Sequence, residues 1–366
     1  MSGPEPKAGI LEIAPYVAGK ANAAGFAAPI KLSANENALG CSVDARAAYI
    51  AGAQAIHRYP DPGASALREA IAAAHDLDPG RIVFGQGSDE LFSLVAQAYL
   101  SPGDTMVQPQ FAFAAWAIAA RAAGAIVRSA PERDYSIDVD ALIKAVDETT
   151  RVVFVANPAN PTGTVVPFRE IERLHAGLPE NVVLVLDAAY AEFAEDLPDY
   201  EDGMRLARTA PNVVLTRTFS KLHGLASLRL GWGYAAAPVI DVLNRIRLPF
   251  NTSAGAQAAG IAALKDRAFI AQSLALVEEW RPKLARMLCK AGLVPLPTAA
   301  NFVTAIAASA EVARRIEQDL AAHGILVRSL ANYGMSDALR VTVGAPNQMQ
   351  ALERVLEAVR PHKAAL

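Results

Sequence analysis

"NVVLVLDAAYAEF", residues 181–193, decides how this chain folds. Val182 to Leu186 is an unbroken apolar run with no polar alternation, the pattern of a strand buried on both faces. Such strands belong to parallel sheets sandwiched between helices, and ligands bind those sheets outside the carboxyl ends of the strands. The run stops at Asp187, a carboxylate that is costly to bury unless it meets a cation or a proton donor. Asp187 therefore marks a candidate ligand edge, with a simple cap of the following turn as the alternative. Tyr190, three residues later, can project to the same region.

Similar runs lie on either side. "RIVFG" (81–85), "TMVQP" (105–109), "RVVFVAN" (151–157) and "NVVLTRT" (212–218) alternate with Ala-rich amphipathic stretches such as "SDELFSLVAQAYL" and "AFAAWAIAARAAGA". This is an α/β pattern with a mostly parallel sheet between helices. From about residue 258 the pattern changes to one long helical reach, then "NFVTAI", another helix, "GILVRSL" and "ALRVTVG". The expected division is a large domain over 48–257 and a smaller α+β domain built from 1–47 and 258–366.

Composition narrows the function. The 366 residues carry a formal charge of −3, which gives no basic footprint for nucleic acid or an anionic membrane. No apolar stretch reaches the about 18 residues of a membrane span, and the start has no basic, then apolar, leader pattern. Cys41 and Cys289 are far apart and have no His partners at zinc spacing, so neither a disulfide framework nor a metal site is expected. The thiols suit a reducing cytoplasm.

Three further stretches sit at expected strand ends. In "VFGQGSDELFSL" glycines 85 and 87 allow close backbone approach, and a helix starting near Ser88 offers free N–H groups to a phosphate. An ordinary helix cap is the alternative, and Glu90, where a dinucleotide fingerprint wants Gly, argues against a nicotinamide cofactor. "NPANPTGTVV" (157–166) fixes Asn157 and Asn160 between Pro158, Pro161 and Gly163. "TFSKLHGLASLRLGW" (218–232) sets Lys221 among Leu, Gly and Ala, where an amine either snorkels outward or serves chemistry. A lysine amine in an apolar cleft can form a Schiff base with an aldehyde, and Ser220 and Arg229 can hold an anion beside it. His223 is expected to pack or cap.

Together, "LSANENALG" (32–40), "HRYPDPG" (57–63), "GQGSDELF", "NPANPTG", "LDAAYAEF", "TFSKLHGLASLRLGW" and "LRVTVGAPNQ" (339–348) resemble the signatures of pyridoxal-phosphate aminotransferases of fold type I. The resemblance is closest to the histidinol-phosphate and aromatic aminotransferases, and runs from "PYVAGK" (15–20) almost to the end.

The resemblance implies pyridoxal 5'-phosphate held by Lys221, with Asp187 on the protonated pyridine nitrogen and Asn160 and Tyr190 on the ring hydroxyl. It implies a phosphate site from the backbone at Ser88 and Asp89 with Ser220 and Arg229, and a stacking ring from Phe111. Tyr59 would reach the neighbouring subunit's cofactor, making a homodimer with shared active sites. Arg340, Asn35, Tyr16, Phe250 and Arg328 would contact substrate, with Lys221, Asp187 and Tyr190 catalytic.

The implied reaction moves an amino group between glutamate and histidinol phosphate or an aromatic amino acid. Rivals are an amino-acid-phosphate decarboxylase on the same scaffold and a non-catalytic cofactor-binding regulator. Ala38 and Ala188 replace the pattern's Pro and Glu, and Phe111 and Phe250 stand where Tyr is common. Their missing hydroxyls favour aromatic amino acids as a competing substrate class.

Overall fold

The apolar strands align as the carboxyl-edge reading requires. In this computed structural model, which describes residues 3–7, 9–16, 19–20 and 22–358, the strands are β1 (Ile30–Lys31), β2 (Ile82–Gln86), β3 (Thr105–Pro109), β4 (Ile126–Ala130), β5 (Thr150–Ala156), β6 (Val183–Asp187), β7 (Val213–Thr218), β8 (Leu230–Ala235), β9 (Val294–Pro295), β10 (Phe302–Ile306), β11 (Ile325–Leu326), β12 (Arg328–Leu330) and β13 (Met335–Thr342).

A seven-stranded sheet runs β2-β8-β7-β6-β5-β3-β4, and every pairing is parallel except the two made by β8. The register sets Ala156 beside Asp187 and Asp187 beside Thr216, so the ends of β5, β6 and β7 form one continuous edge. Helices cover both faces. Leu184, Leu186 and Val155 pack into one apolar cluster and Val183, Val185 and Phe154 into another. The edge strand β4 and the antiparallel β8 were not anticipated. β4 is only partly buried, and β8, "LGWGYA", is interrupted by glycines.

The second sheet, β12-β13-β10-β9, is antiparallel, and β1 pairs in parallel with β11. The N-terminal segment is thereby tied to residues near the chain's end. The single long helix expected after residue 258 is two helices, Ala254–Lys265 and Arg267–Lys290. Asp266 divides them because its carboxylate accepts the Phe269 N–H at 2.9 Å and starts the second helix.

The expected boundary at 257/258 falls inside the first of these helices, whose Ala259, Ala263 and Leu264 join the large-sheet cluster. We propose a large unit that runs to about residue 265. The ends of the expected small domain, residues 1–2 and 359–366, lie outside the described residues, as do Ala8, Val17, Ala18 and Ala21.

One ion cluster fastens the turn after β6 to the sheet. Arg217 on β7 is 3 % exposed, yet its guanidinium meets Glu192 at 3.1 Å and also pairs with Asp202. Glu192 follows Tyr190 in the turn that carries the ligand edge. Removing one partner of a buried pair strands the other charges. Arg217→Met is expected to lower unfolding stability by about 3–5 kcal/mol in urea titration, whereas a loss under about 1 kcal/mol would mean the carboxylates escape to water.

Candidate active site

A cleft of about 300 Å³ opens where the carboxyl ends of the parallel strands meet the second sheet. Its floor is Asp187, the last residue of β6. Asp187 is buried, and its Oδ1 accepts the Ala189 N–H at 3.1 Å and the Thr216 hydroxyl at 3.4 Å. No cationic side chain lies within ion-pair distance of it among the described residues, and burial pushes its carboxyl up to about 7. Above it, Lys221 is part-buried with its amine inside the cleft, donating to the Ala34 carbonyl at 3.2 Å and lying 5.7 Å from the Tyr190 ring centroid. Burial, then the nearby Arg340 charge, lowers this amine to about 8, while Asp89 and Glu36 act in the opposite direction. The amine thus gives up its proton far more readily than an ordinary lysine.

The turn after β5 is built by its prolines and by Asn157, which brackets Val166 through both its amide and its carbonyl. Asn157 is therefore a clamp rather than a cleft residue. Asn160 does line the cleft, and its Oδ1 accepts from Arg340 Nη1 at 2.5 Å. Tyr190 receives the Asn35 amide at 2.9 Å, and burial raises its phenol to about 12.

At the opposite wall the helix Ser88–Tyr99 begins without a side-chain cap after Gly87, whose φ is +73°. A Cβ at Gly231 on β8 would come within 2.4 Å of the Gly87 carbonyl carbon, so two backbones touch behind this helix start. Arg229, at φ +49°, reaches Asp89 at 2.8 Å and the Ser220 hydroxyl at 3.4 Å. Free N–H groups, a hydroxyl and a guanidinium together make an anion cradle.

On the second sheet Arg328 and Arg340 face each other across β12 and β13. Both are buried and both line the cleft. Arg340 Nη2 donates to the Ser33 carbonyl at 3.2 Å, and its buried Nε has no partner.

Two expected site residues lie elsewhere. Phe111 is outside the cleft. Its N–H donates to Glu132 at 3.1 Å, and its ring stacks on Tyr135 at 5.7 Å against the cluster of Leu330 and Met335. The phenylalanine that lines the cleft is Phe113, edge-on to Tyr16 at 6.5 Å. Phe250 also lies outside, stacked on the exposed Tyr59 at 4.6 Å. Sequence reading also missed Lys31, Glu36, Tyr333 and Glu132. The first three line the cleft, and burial pushes the Glu132 carboxyl up to about 7. His223 is buried against Phe219, as a packing residue.

A buried amine with a lowered pKa, a strand-end carboxylate lacking a cation and a backbone anion cradle are the equipment of an enzyme that works through an aldehyde-phosphate cofactor. The model of the family described as aminotransferase class I and II matches residues 27–359. Histidinol-phosphate aminotransferase 1 of Caulobacter vibrioides is 52 % identical over 96 % of this chain and 98 % of its own length. The histidinol-phosphate aminotransferase of Maricaulis maris is 49 % identical over 95 % and 96 %. Among solved structures, histidinol-phosphate aminotransferase from Sinorhizobium meliloti in complex with pyridoxal-5'-phosphate superposes with a TM-score of 0.85 at 28 % identity, covering 90 % of this chain and 91 % of that one. The chain belongs to the class I and II aminotransferases. It is a pyridoxal-phosphate-dependent transaminase of fold type I.

Asp187 carries a stability signature. Its folded pKa of about 7 lies above the ordinary carboxylate value, so between about pH 4 and 7 the folded state binds the extra proton and stability falls as pH rises. In cofactor-free protein, Asp187→Asn should be more stable than wild type at pH 7.5 by on the order of 2–4 kcal/mol and nearly equal at pH 4. Urea unfolding at the two pH values checks this, and a difference independent of pH would exclude the buried charge as its cause.

Proposed function

We propose that this chain transfers an amino group from glutamate to the oxo partner of histidinol phosphate, imidazole-acetol phosphate, with aromatic amino acids as a competing class. The cleft-lining pair Arg328 and Arg340, in register across β12 and β13, carries the reading, because two guanidiniums on one wall suit a substrate with a phosphate or carboxylate. The names of the Caulobacter and Maricaulis relatives support the phosphorylated substrate. The cleft's Phe113 and Tyr16 give the flat wall an imidazole or phenyl ring needs.

Pyridoxal phosphate fits the residues present, and when bound it supplies an electron sink for the pair left as the substrate Cα loses its proton. Lys221 would hold the cofactor and move the proton at Cα, its lowered pKa making the amine a competent base. Asp187 would keep the ring nitrogen protonated, which gives its stranded carboxylate a cation. Asn160 and Tyr190 would orient the ring hydroxyl. Ser88 and Asp89 through their backbone N–H groups, with Ser220 and Arg229, would bind the phosphate. We assign the ring wall to Phe113 in place of Phe111. Arg340, supported by Asn35, would take one substrate anion and Arg328 another.

A homodimer in the cytoplasm completes the proposal. Tyr59 and Phe250 form an exposed aromatic pair beside the exposed Ile56 and Leu248, an apolar patch suited to a second copy. The hydroxyl of the partner's Tyr59 would then reach the cofactor phosphate. No helix among the described residues is long and apolar enough to cross a membrane, and the free thiols Cys41 and Cys289 accord with a reducing compartment.

Two outcomes test the reading. Lys221→Ala should lose the visible band that depends on lysine and roughly 10²–10⁴-fold in turnover; borohydride labelling of any other lysine in wild type would refute the assignment. Arg340→Ala should lower kcat/KM about 10–100-fold for both glutamate and histidinol phosphate, the size of a lost charged hydrogen bond. Sparing of either half-reaction would show that Arg340 does not serve both substrates.

A further inference from the structure

The cleft is crowded with positive charge from Lys221, Arg229, Arg328 and Arg340, and its acids are differently employed. Asp187 is sealed at the floor, and Asp89 is engaged by Arg229. Glu36 stands apart. It lines the cleft, and its Oε1 accepts from Lys31 Nζ at 2.9 Å in a pair whose side chains are 35 % and 44 % exposed.

We infer that Glu36 is the specificity-determining acceptor for a ring N–H on the substrate's side chain, and that Lys31 holds and neutralises its carboxylate when no such ring is present. The inference rests on the transaminase reading above and names the side-chain class that this cleft prefers, an imidazole over a phenyl ring.

The backbone under Glu36 is fixed on both sides. The Asn35 N–H donates to Thr342 Oγ1 at 2.9 Å, the Asn35 carbonyl accepts from Asn301 at 3.1 Å, and the Asn37 amide donates to the Leu222 carbonyl at 2.6 Å. Glu36 is thus presented from a rigid strap, while its carboxylate is restrained only by a half-exposed lysine. An exposed pair of this kind is held by little free energy, and a carboxylate has more acceptor positions than one ammonium fills. A second cavity of about 220 Å³ shares Lys31 and Glu36 with the cleft and continues to Asn37, Gly344 and Gln348. The ion pair is therefore the partition between two spaces, and a displaced Lys31 has room to swing away.

Selectivity needs such a group. The rings of Phe113 and Tyr16 pack equally well on phenyl and imidazole, and an apolar wall rejects neither. A carboxylate that accepts from a ring N–H separates them. The same carboxylate would repel the acidic arm of glutamate, and pairing with Lys31 cancels that charge while the donor is bound.

The test uses cofactor-loaded protein and two ligands that lack the reacting amine, 3-(imidazol-4-yl)propyl phosphate and 3-phenylpropyl phosphate, with Kd measured by calorimetry. Wild type should prefer the imidazole ligand by about tenfold or more, one hydrogen bond to a charged group. Glu36→Met should bring the ratio to within about twofold, and Glu36→Gln, whose amide oxygen still accepts, should keep part of it. Lys31→Met, which frees the carboxylate, should widen the ratio. Equal binding of both ligands by wild type, or a preference that survives Glu36→Met, overturns the inference alone. Failure of both phosphates to bind wild type overturns the anion-site reading and this inference with it.

Discussion

An amine must be unprotonated to act as a nucleophile or base, and Lys221 is kept near that state by where it lies. Its amine is withdrawn from water and set close to Arg340, and both effects penalise the ammonium. The chain assembles this setting from distant parts: the turn after β7 supplies the lysine, β13 the arginine, and the segment after β1 the Ala34 carbonyl that orients the amine. The pairing of β1 with β11 and the register of β12 on β13 are thus conditions for the chemistry. Asp187 answers the same constraint with the opposite sign. It lies below the amine with its own charge suppressed by burial, a state that any cation brought close to it reverses.

The parts of this arrangement that were legible in the sequence are those in which one residue's chemistry conflicts with its neighbours. Asp187 after an apolar run and Lys221 among Leu and Gly both announce themselves, because burying either charge without purpose is costly. The strands around them were equally plain, since a strand covered on both faces has no polar alternation to confuse with a helix. β4 and β8 escaped for the converse reason. One is a partly solvated edge, and the other carries glycines whose purpose is visible only when the chain they touch is in place.

Misplaced residues share a different cause. Phe111 and Phe113 have the same chemistry and sit two positions apart, and the choice between them is made by the Glu132 carboxylate, which fixes the Phe111 N–H, and by Tyr135, which claims the ring. Neither contact has a sequence pattern. Phe250 turns outward at a left-handed φ of +57°, a conformation no local propensity foretells for Phe. Lys31 and Glu36 carry no sequence signal of their own, and only the fold shows them lining two cavities at once.

The contact between Gly231 and the Gly87–Ser88 backbone also bears on how such a protein can change over generations. Main chain against main chain leaves no side chain to vary, so a substitution at Gly231 on the anion-cradle wall must move backbone. The facing wall, from Lys31 to Glu36 and along β12 and β13, is made of side chains on an otherwise intact scaffold. Its half-exposed Lys31 and Glu36 can change while Ala34 and Arg340, which set the Lys221 amine, stay in place. Room for variation thus lies on the side-chain wall of this cleft, and constraint on the backbone wall.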